Sequence, residues 1–108
     1  MSSLEPYAAM RPQARLDLVE LATYIANDSI DAAARLLDKS EETLGFLANN
    51  PQTGAIYPTK NPRLSELRVF QIREFPNHLA FCIERHHGIE VVRILHGARN
   101  LDSVLNLE

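Results

Sequence analysis

The sequence has little of what a secreted, disulfide-bonded or membrane-spanning protein needs. Its single cysteine, Cys82, cannot form an internal disulfide and lies in a predicted strand, so we interpret it as a small buried apolar group. No apolar stretch approaches the length that crosses a membrane, and no basic segment followed by an apolar run opens the chain. The 108 residues predict one domain, 1–108, with a modest core and a cytoplasmic location.

Lysine is also scarce, and the overall charge is acidic. Only Lys39 and Lys60 accompany nine arginines, and the formal net charge is −3. Proteins that bind nucleic acid obtain most of their affinity from cations that neutralise phosphates. The charge therefore argues against RNA or duplex DNA as the main partner, and we expect no sequence-specific nucleic-acid binding. A local basic patch is still compatible with the arginines of the C-terminal half, among them Arg63, Arg68, Arg73, Arg93 and Arg99.

Familiar catalytic and metal-binding patterns are missing from the sequence. The four glycines are scattered, so no loop is suited to cradle a phosphate, and no serine lies in a nucleophile-elbow pattern. His86 and His87 are adjacent at a predicted hairpin tip, where their side chains point apart, and no second ligand cluster is spaced to join them. We assign no metal and expect no cofactor.

Helical periodicity characterises the first half of the chain. Pro12 suits the first turn of a helix, and apolar residues follow it at helical spacing. Ser29 supplies a cap for a second helix over residues 30–49, which ends before Pro51. The 3-4 spacing on this helix predicts the seam of an antiparallel helix pair: Ile30, Ala33, Leu37, Ser40, Leu44 and Leu47.

The second half is predicted to contain three strands: Leu67–Ile72, Leu79–Glu84 and Ile89–Leu95. A turn over residues 73–78 and a tight hairpin at Arg85–Gly88 separate them, and residues 50–64 form an irregular connector. A weaker strand is predicted over residues 4–10. The fold class is α+β: a short N-terminal strand and an antiparallel helical hairpin packed on a small, mainly antiparallel sheet (β-α-α-β-β-β), then a short C-terminal helical tail.

The end of the last predicted strand gathers polar side chains. His96 ends the strand beside Gly97, with Arg93 and Arg99 nearby in sequence. His96 is either a hydrogen-bonding or acid–base group at a rim that faces a target, or a structural histidine that ties the strand to the tail. We favour the structural interpretation.

Two further arginines, Arg68 and Arg73, bracket the first of the three strands. In an antiparallel arrangement we expect Arg68 near the sheet edge that also holds Arg99. Such arginines form an anion-recognition patch for phosphate or acidic side chains, or they are solvated residues that discourage edge-to-edge aggregation. The sequence favours neither interpretation over the other.

The order of elements and several motifs resemble the RelE/ParE toxin superfamily over about residues 7–105. The closing run Ile89–Arg99 is similar to the last strand of the ParE branch. The other similar stretches, in chain order, are Pro12–Leu18, Tyr24–Ala26, Ala33–Leu36, Leu47–Gly54, Leu67–Phe70 and Phe75–Leu79. The superfamily comprises small toxins of bacterial type II toxin–antitoxin pairs.

The resemblance implies one of two activities. RelE-like toxins cut messenger RNA on the ribosome, whereas ParE-like toxins trap DNA gyrase while its DNA is cleaved. RelE-like sequences carry lysines, arginines and a tyrosine at positions whose approximate counterparts here can neither hold a phosphate nor transfer a proton: Val69–Gln71, Leu79, Leu101 and Leu105. The resemblance therefore favours a gyrase inhibitor that is not itself an enzyme. The residues that we predict to bind the target are Arg68, Arg73, Arg93, His96 and Arg99.

Two other activities remain alternatives. A ribosome-dependent endoribonuclease would use His96 as its catalytic residue. ParE-like chains commonly carry Tyr-Arg where this chain has Cys82 and Ile83, and this departure gives some weight to an inert remnant that only binds antitoxin. In each case the resemblance implies a cognate antitoxin, ParD-like for the leading interpretation, in a toxin–antitoxin hetero-oligomer. The predicted antitoxin-binding residues are Leu16, Val19 and Leu36.

Overall fold

The computed structural model describes residues 5–108, so Leu4 of the predicted strand over residues 4–10 lies outside the described residues. The elements follow the predicted order, with one short strand and one 3-10 turn added. They are β1 (Tyr7–Met10), α1 (Pro12–Ala26), α2 (Ile30–Asn49), β2 (Ala55–Ile56), a 3-10 turn (Pro62–Leu64), β3 (Arg68–Ile72), β4 (Phe75–Arg85), β5 (Gly88–His96) and α3 (Leu101–Leu105).

The strands form one sheet in the order β1-β5-β4-β3-β2. β1 is parallel to β5, and the other neighbours are antiparallel, as the predicted fold class requires. The ladder between β1 and β5 ends at Met10 and Val91. The second half of β5 therefore has β4 on one side and no strand of the described chain on the other.

Both faces of the sheet are covered by apolar side chains. Successive residues of a strand point to opposite faces, and in β4 Ala80 and Cys82 pack with α1 and α2 while Phe81 packs in a second cluster. That second cluster includes Leu64 from the connector and Leu105 from α3. The helical hairpin thus lies on one face, and the connector and tail cover the other.

Local sequence signals account for most element boundaries. α1 begins at Pro12, and the Ser29 hydroxyl accepts the Ala32 N–H at 3.0 Å, so both predicted starts are confirmed. Gly88 opens β5 at φ +148°, and a Cβ there would lie 1.9 Å from the Tyr7 carbonyl oxygen. This close approach explains why the hairpin needs glycine.

Two predicted boundaries are wrong. The turn predicted over residues 73–78 contains only Arg73 and Glu74, because β4 begins at Phe75. Pro76 lies instead in β4 where the register jumps from Ile72↔Phe75 to Gln71↔Leu79, and such an irregularity tolerates proline. The connector over residues 50–64 is also more ordered than predicted, since it contains β2 and the 3-10 turn.

Hydrogen bonds of Glu90 connect three segments of the chain, and from them we predict that stability depends on pH. Its carboxylate accepts hydrogen bonds from Arg11 Nε at 2.7 Å and Arg85 Nε at 3.0 Å. Arg11 foremost, and then Arg85, hold the pKa of Glu90 below its ordinary value, although partial burial opposes this. Glu90 therefore binds a proton less readily in the folded state than in the unfolded state. The stabilisation from its ion pairs is complete above the pKa of Glu90 in the unfolded chain. It is lost as pH falls through the pKa of Glu90 in the folded protein.

We therefore expect Glu90→Gln to lower the free energy of unfolding by about 1–2 kcal/mol at pH 7, because a charge-assisted contact is lost. The difference from the wild type should shrink between about pH 5 and pH 3. Urea denaturation of both proteins at several pH values measures it. A difference that stays constant down to pH 3 would contradict the assignment.

Candidate functional site

Three residues predicted to bind the target lie at one end of the sheet. His96 ends β5 directly opposite His78 of β4, Arg73 lies in the β3–β4 turn, and Arg99 follows β5. β3 and β5 both finish here, and β4 begins here. We call this region, defined by Arg73, His78, His96 and Arg99, the turn end of the sheet.

Arg68 lies at the other end of the sheet, so its expected proximity to Arg99 is wrong. It pairs with Cys82, four positions along β4 from His78, which corresponds to roughly 13 Å at the rise of a strand. Its Nη1 donates to the carbonyl oxygens of Gln52 at 3.1 Å and Gly54 at 2.7 Å. The half-buried Arg68 therefore ties the connector to β3.

Arg93 is buried in an ion pair, which corrects the prediction that it faces a target. Its Nε and Nη2 donate to the two carboxylate oxygens of Asp17 at 2.7 and 2.8 Å, and its Nη1 donates to Glu108 at 3.0 Å. The hydrogen bond with Asp17 is the main cause that raises the pKa of Arg93. With 7% of its surface exposed, Arg93 is largely inaccessible to a partner.

Asp17 is the important residue that sequence reasoning missed. It is 3% exposed, and its Oδ2 also accepts the Ile94 N–H at 3.0 Å. This bond falls just past the end of the β1–β5 ladder, so the carboxylate takes the place of a strand partner. Its spacing was a usable signal, because Asp17 follows Ala14 by three residues and precedes Leu21 by four on the apolar face of α1.

The placement of His96 supports a structural role. Its Nδ1 accepts the Ala98 N–H at 3.0 Å, and its carbonyl oxygen accepts the Arg99 N–H at 3.1 Å. The half-buried ring lies across the His78 ring, with centroids 5.3 Å apart. Burial, and secondly His96, lower the pKa of His78. The bond from Ala98 occupies Nδ1, so Nε2 is the ring nitrogen of His96 that is open to a partner.

Arg73 and Arg99 are the exposed cations of the turn end. The Arg73 N–H donates to the Thr43 hydroxyl oxygen at 3.1 Å, and its guanidinium lies 5.0 Å from the centre of the Phe46 ring. α2 thus holds both the backbone and the side chain of Arg73. A guanidinium with one face covered and its N–H edge exposed is well suited to bind a carboxylate or phosphate.

The approximate counterparts of the catalytic positions of RelE-like toxins are mostly apolar side chains that pack on the core, whereas Gln71 among them is exposed. Leu105 is fully buried, and Val69, Leu79 and Leu101 pack against the same cluster. Cys82 is buried too, and burial raises the pKa of its thiol to about 12. Within residues 5–108 no group of three or more histidine, cysteine or acidic side chains is placed to hold a metal ion.

The predicted antitoxin-binding residues divide into two exposed residues and one core residue. Leu16 and Val19 are 56% and 55% exposed on the outer side of α1, whereas Leu36 is 0% exposed. Leu36 is thus a core residue, and its prediction as a surface anchor is wrong. The inward face of α2 contains Leu36 and Ser40, while Ile30 and Leu37, predicted in the seam, are exposed.

A groove of about 570 Å³ lies between β1 and α2. Apolar side chains from three elements form its floor, namely Met10, Leu18 and Leu44, and Asp38 and Glu41 stand along it. β1 is an edge strand of the sheet. The groove therefore offers an apolar floor, acidic side chains and an open strand edge.

Comparisons with known proteins identify relatives of this chain. A family model described as the ParE toxin of the type II toxin–antitoxin system, parDE, matches residues 9–101. The solved structure of a chromosomal ParDE TA system from P. aeruginosa is similar, with 18% identity and a TM-score of 0.64 over 82% of this chain and 92% of that chain. No curated protein matches the sequence significantly. None of the helices described in residues 5–108 is long and apolar enough to cross a membrane.

Proposed function

Since the chain belongs to the ParE toxin family of type II toxin–antitoxin systems, we propose that it inhibits DNA gyrase by binding and that a cognate antitoxin neutralises it. In this proposal the toxin traps gyrase while its DNA is cleaved. The toxin itself catalyses no reaction and uses no cofactor. The complex with antitoxin is a cytoplasmic hetero-oligomer.

The observation that carries the proposal is that apolar side chains stand at most of the approximate counterparts of the catalytic positions in ribonucleases of the superfamily. Cleavage of RNA needs cations around the scissile phosphate and a group that activates the 2′-hydroxyl. Leu79, Leu101 and Leu105 supply neither a cation nor such a group. They pack in the second cluster, on the sheet face opposite the helical hairpin. The remaining candidate, His96, accepts a main-chain N–H at Nδ1. Binding to a protein target requires none of this chemistry.

The turn end of the sheet is the proposed contact surface for gyrase. Arg73 and Arg99 are exposed, and α2 restricts the conformations of Arg73 before it binds. Restricting an arginine in advance lowers the entropy lost on binding. Arg68 and Arg93 are excluded from this surface because their guanidinium groups are engaged within the chain.

The groove between β1 and α2 is the proposed seat of the antitoxin, together with Leu16 and Val19. An amphipathic segment can place apolar side chains on Met10, Leu18 and Leu44 and can extend along the β1 edge. Asp38 and Glu41 favour a segment that carries lysine or arginine. The expected partner is a ParD-like antitoxin with such a segment.

A supercoiling and cleavage assay with purified gyrase and antitoxin-free protein tests the proposal. We expect linear DNA, covalently linked to gyrase, to accumulate with toxin dose, and we expect added antitoxin to abolish it. Heat-unfolded toxin serves as the control. Unaffected gyrase together with transcripts cut on the ribosome, and loss of cutting in His96→Ala, would establish the ribonuclease instead. Tight antitoxin binding without growth arrest at any dose would establish the inert binder.

A further inference from the structure

The outer edge of β3 is only partly covered by another strand. β2 pairs with Val69 and Arg68 alone, and the Tyr57 N–H donates to the Leu67 carbonyl oxygen at 2.8 Å on the same side. Main-chain groups alternate between the two neighbours of a strand, so the N–H and C=O of Gln71 face outward past the end of β2. No strand within residues 5–108 occupies that position.

An open groove of about 430 Å³ borders this edge. Ala55, Val69, Phe70, Ile72 and Pro76 contribute to its lining, which is mainly apolar. The chain that precedes β2 leaves the groove open because it turns away: the Thr53 N–H donates to the Asn50 carbonyl oxygen at 3.1 Å. The edge therefore combines unused main-chain groups with room for side chains.

Arg73 also lines the groove, and Phe46 and Thr43 hold this cation in place without an ion pair. Its neighbour Glu74 is already paired, with Lys39 at 3.2 Å and Arg35 at 3.5 Å. No carboxylate of residues 5–108 lies within ion-pair distance of Arg73 itself. Phe46 covers one face of the guanidinium and leaves its N–H edge for an acceptor.

We propose that the β3 edge, defined by Gln71, Arg73 and the groove beside them, receives an extended acidic segment of the target protein. The segment adds a short strand at Gln71, places an apolar side chain in the groove and sets a carboxylate on Arg73. The identity of that target as gyrase rests on the proposed function. The charge separates this partner from the antitoxin, since the groove at the opposite edge carries Asp38 and Glu41 and favours a basic segment.

The test compares two variants with matched controls in the gyrase cleavage assay. Gln71→Pro removes the outward N–H, whereas Gln71→Ala keeps it. Arg73→Glu reverses the anchoring charge, whereas Arg63→Glu makes the same change at an exposed arginine of the connector. We expect Gln71→Pro to lose at least about tenfold in potency relative to Gln71→Ala, and Arg73→Glu to lose at least about tenfold relative to Arg63→Glu. Antitoxin affinity, unchanged in all four, verifies that each variant is folded.

The outcomes distinguish this inference from the proposed function. Wild-type potency in both Gln71→Pro and Arg73→Glu overturns the inference. Loss in Arg73→Glu alone also overturns strand addition and indicates a single ion contact, such as one with a DNA phosphate. Wild-type toxin that arrests growth without affecting gyrase contradicts the proposed target, and the growth arrest caused by the same variants then decides the inference. Wild-type toxin that affects neither gyrase nor growth overturns both the proposed function and this inference.

Discussion

Replacing Asp17 with alanine is expected to lower the free energy of unfolding by about 3–5 kcal/mol, because it leaves the buried Arg93 guanidinium without its main partner. The same change removes the acceptor of the Ile94 N–H at the point where β1 no longer covers β5. Small domains are stable by only about 5–15 kcal/mol. The variant should therefore unfold at a much lower urea concentration, which circular dichroism measures directly.

Two further variants make the Asp17 prediction specific. Asp28→Ala removes an exposed aspartate just after α1 and should change stability by less than about 0.5 kcal/mol. Replacing the pair by apolar residues, Asp17→Leu with Arg93→Met, should recover part of the loss, because the uncompensated buried charge is gone. The recovery should be incomplete because the Ile94 N–H stays unpaired. A loss below about 1 kcal/mol in Asp17→Ala would show that water replaces the ion pair.

Leu36→Ala is expected to cost about 2–5 kcal/mol of stability, since it opens a cavity between α2 and the sheet. Leu16→Ala deletes the same atoms from a side chain that is 56% exposed, so its stability should change by less than about 0.5 kcal/mol. For antitoxin affinity we expect the opposite: Leu16→Ala should weaken binding more than Leu36→Ala does. Urea denaturation and calorimetric titration with antitoxin measure the two effects separately.

The comparison of these two leucines also tests the proposed antitoxin surface. If Leu16→Ala binds antitoxin as tightly as the wild type, the outer side of α1 is not part of the interface. If Leu36→Ala keeps full stability, that result contradicts the burial of Leu36 between α2 and the sheet. Because Leu36 contacts no solvent, any loss of antitoxin affinity in that variant should parallel its loss of folded protein and disappear at a temperature where it is fully folded.

The order and type of the main elements were predictable because each has a local cause. Pro12 and the Ser29 cap set the starts of α1 and α2, and the alternation before His96 identifies β5. β2 was not predictable, since two residues carry no periodicity and this strand exists only by pairing with β3. The early start of β4 at Phe75 was hidden by Pro76, which the irregular register accommodates.

The candidate site was less predictable than the fold because a residue type does not reveal its partners. Arg68, Arg73, Arg93 and Arg99 look alike in sequence, yet two are engaged within the chain and two are exposed. Arg93 meets Asp17 across 76 residues, a separation that no spacing rule covers. Leu36 differs from Leu37 only in helical phase.

By itself the sequence determined the class of fold and the family resemblance, because these follow from local periodicity and motifs. Only the tertiary structure decided which arginines are available, that Asp17 completes the edge of β5, and that β3 has an open edge ending at Arg73. The physical reason is that exposure and pairing depend on contacts between distant segments. These contacts form only when helices and strands pack together.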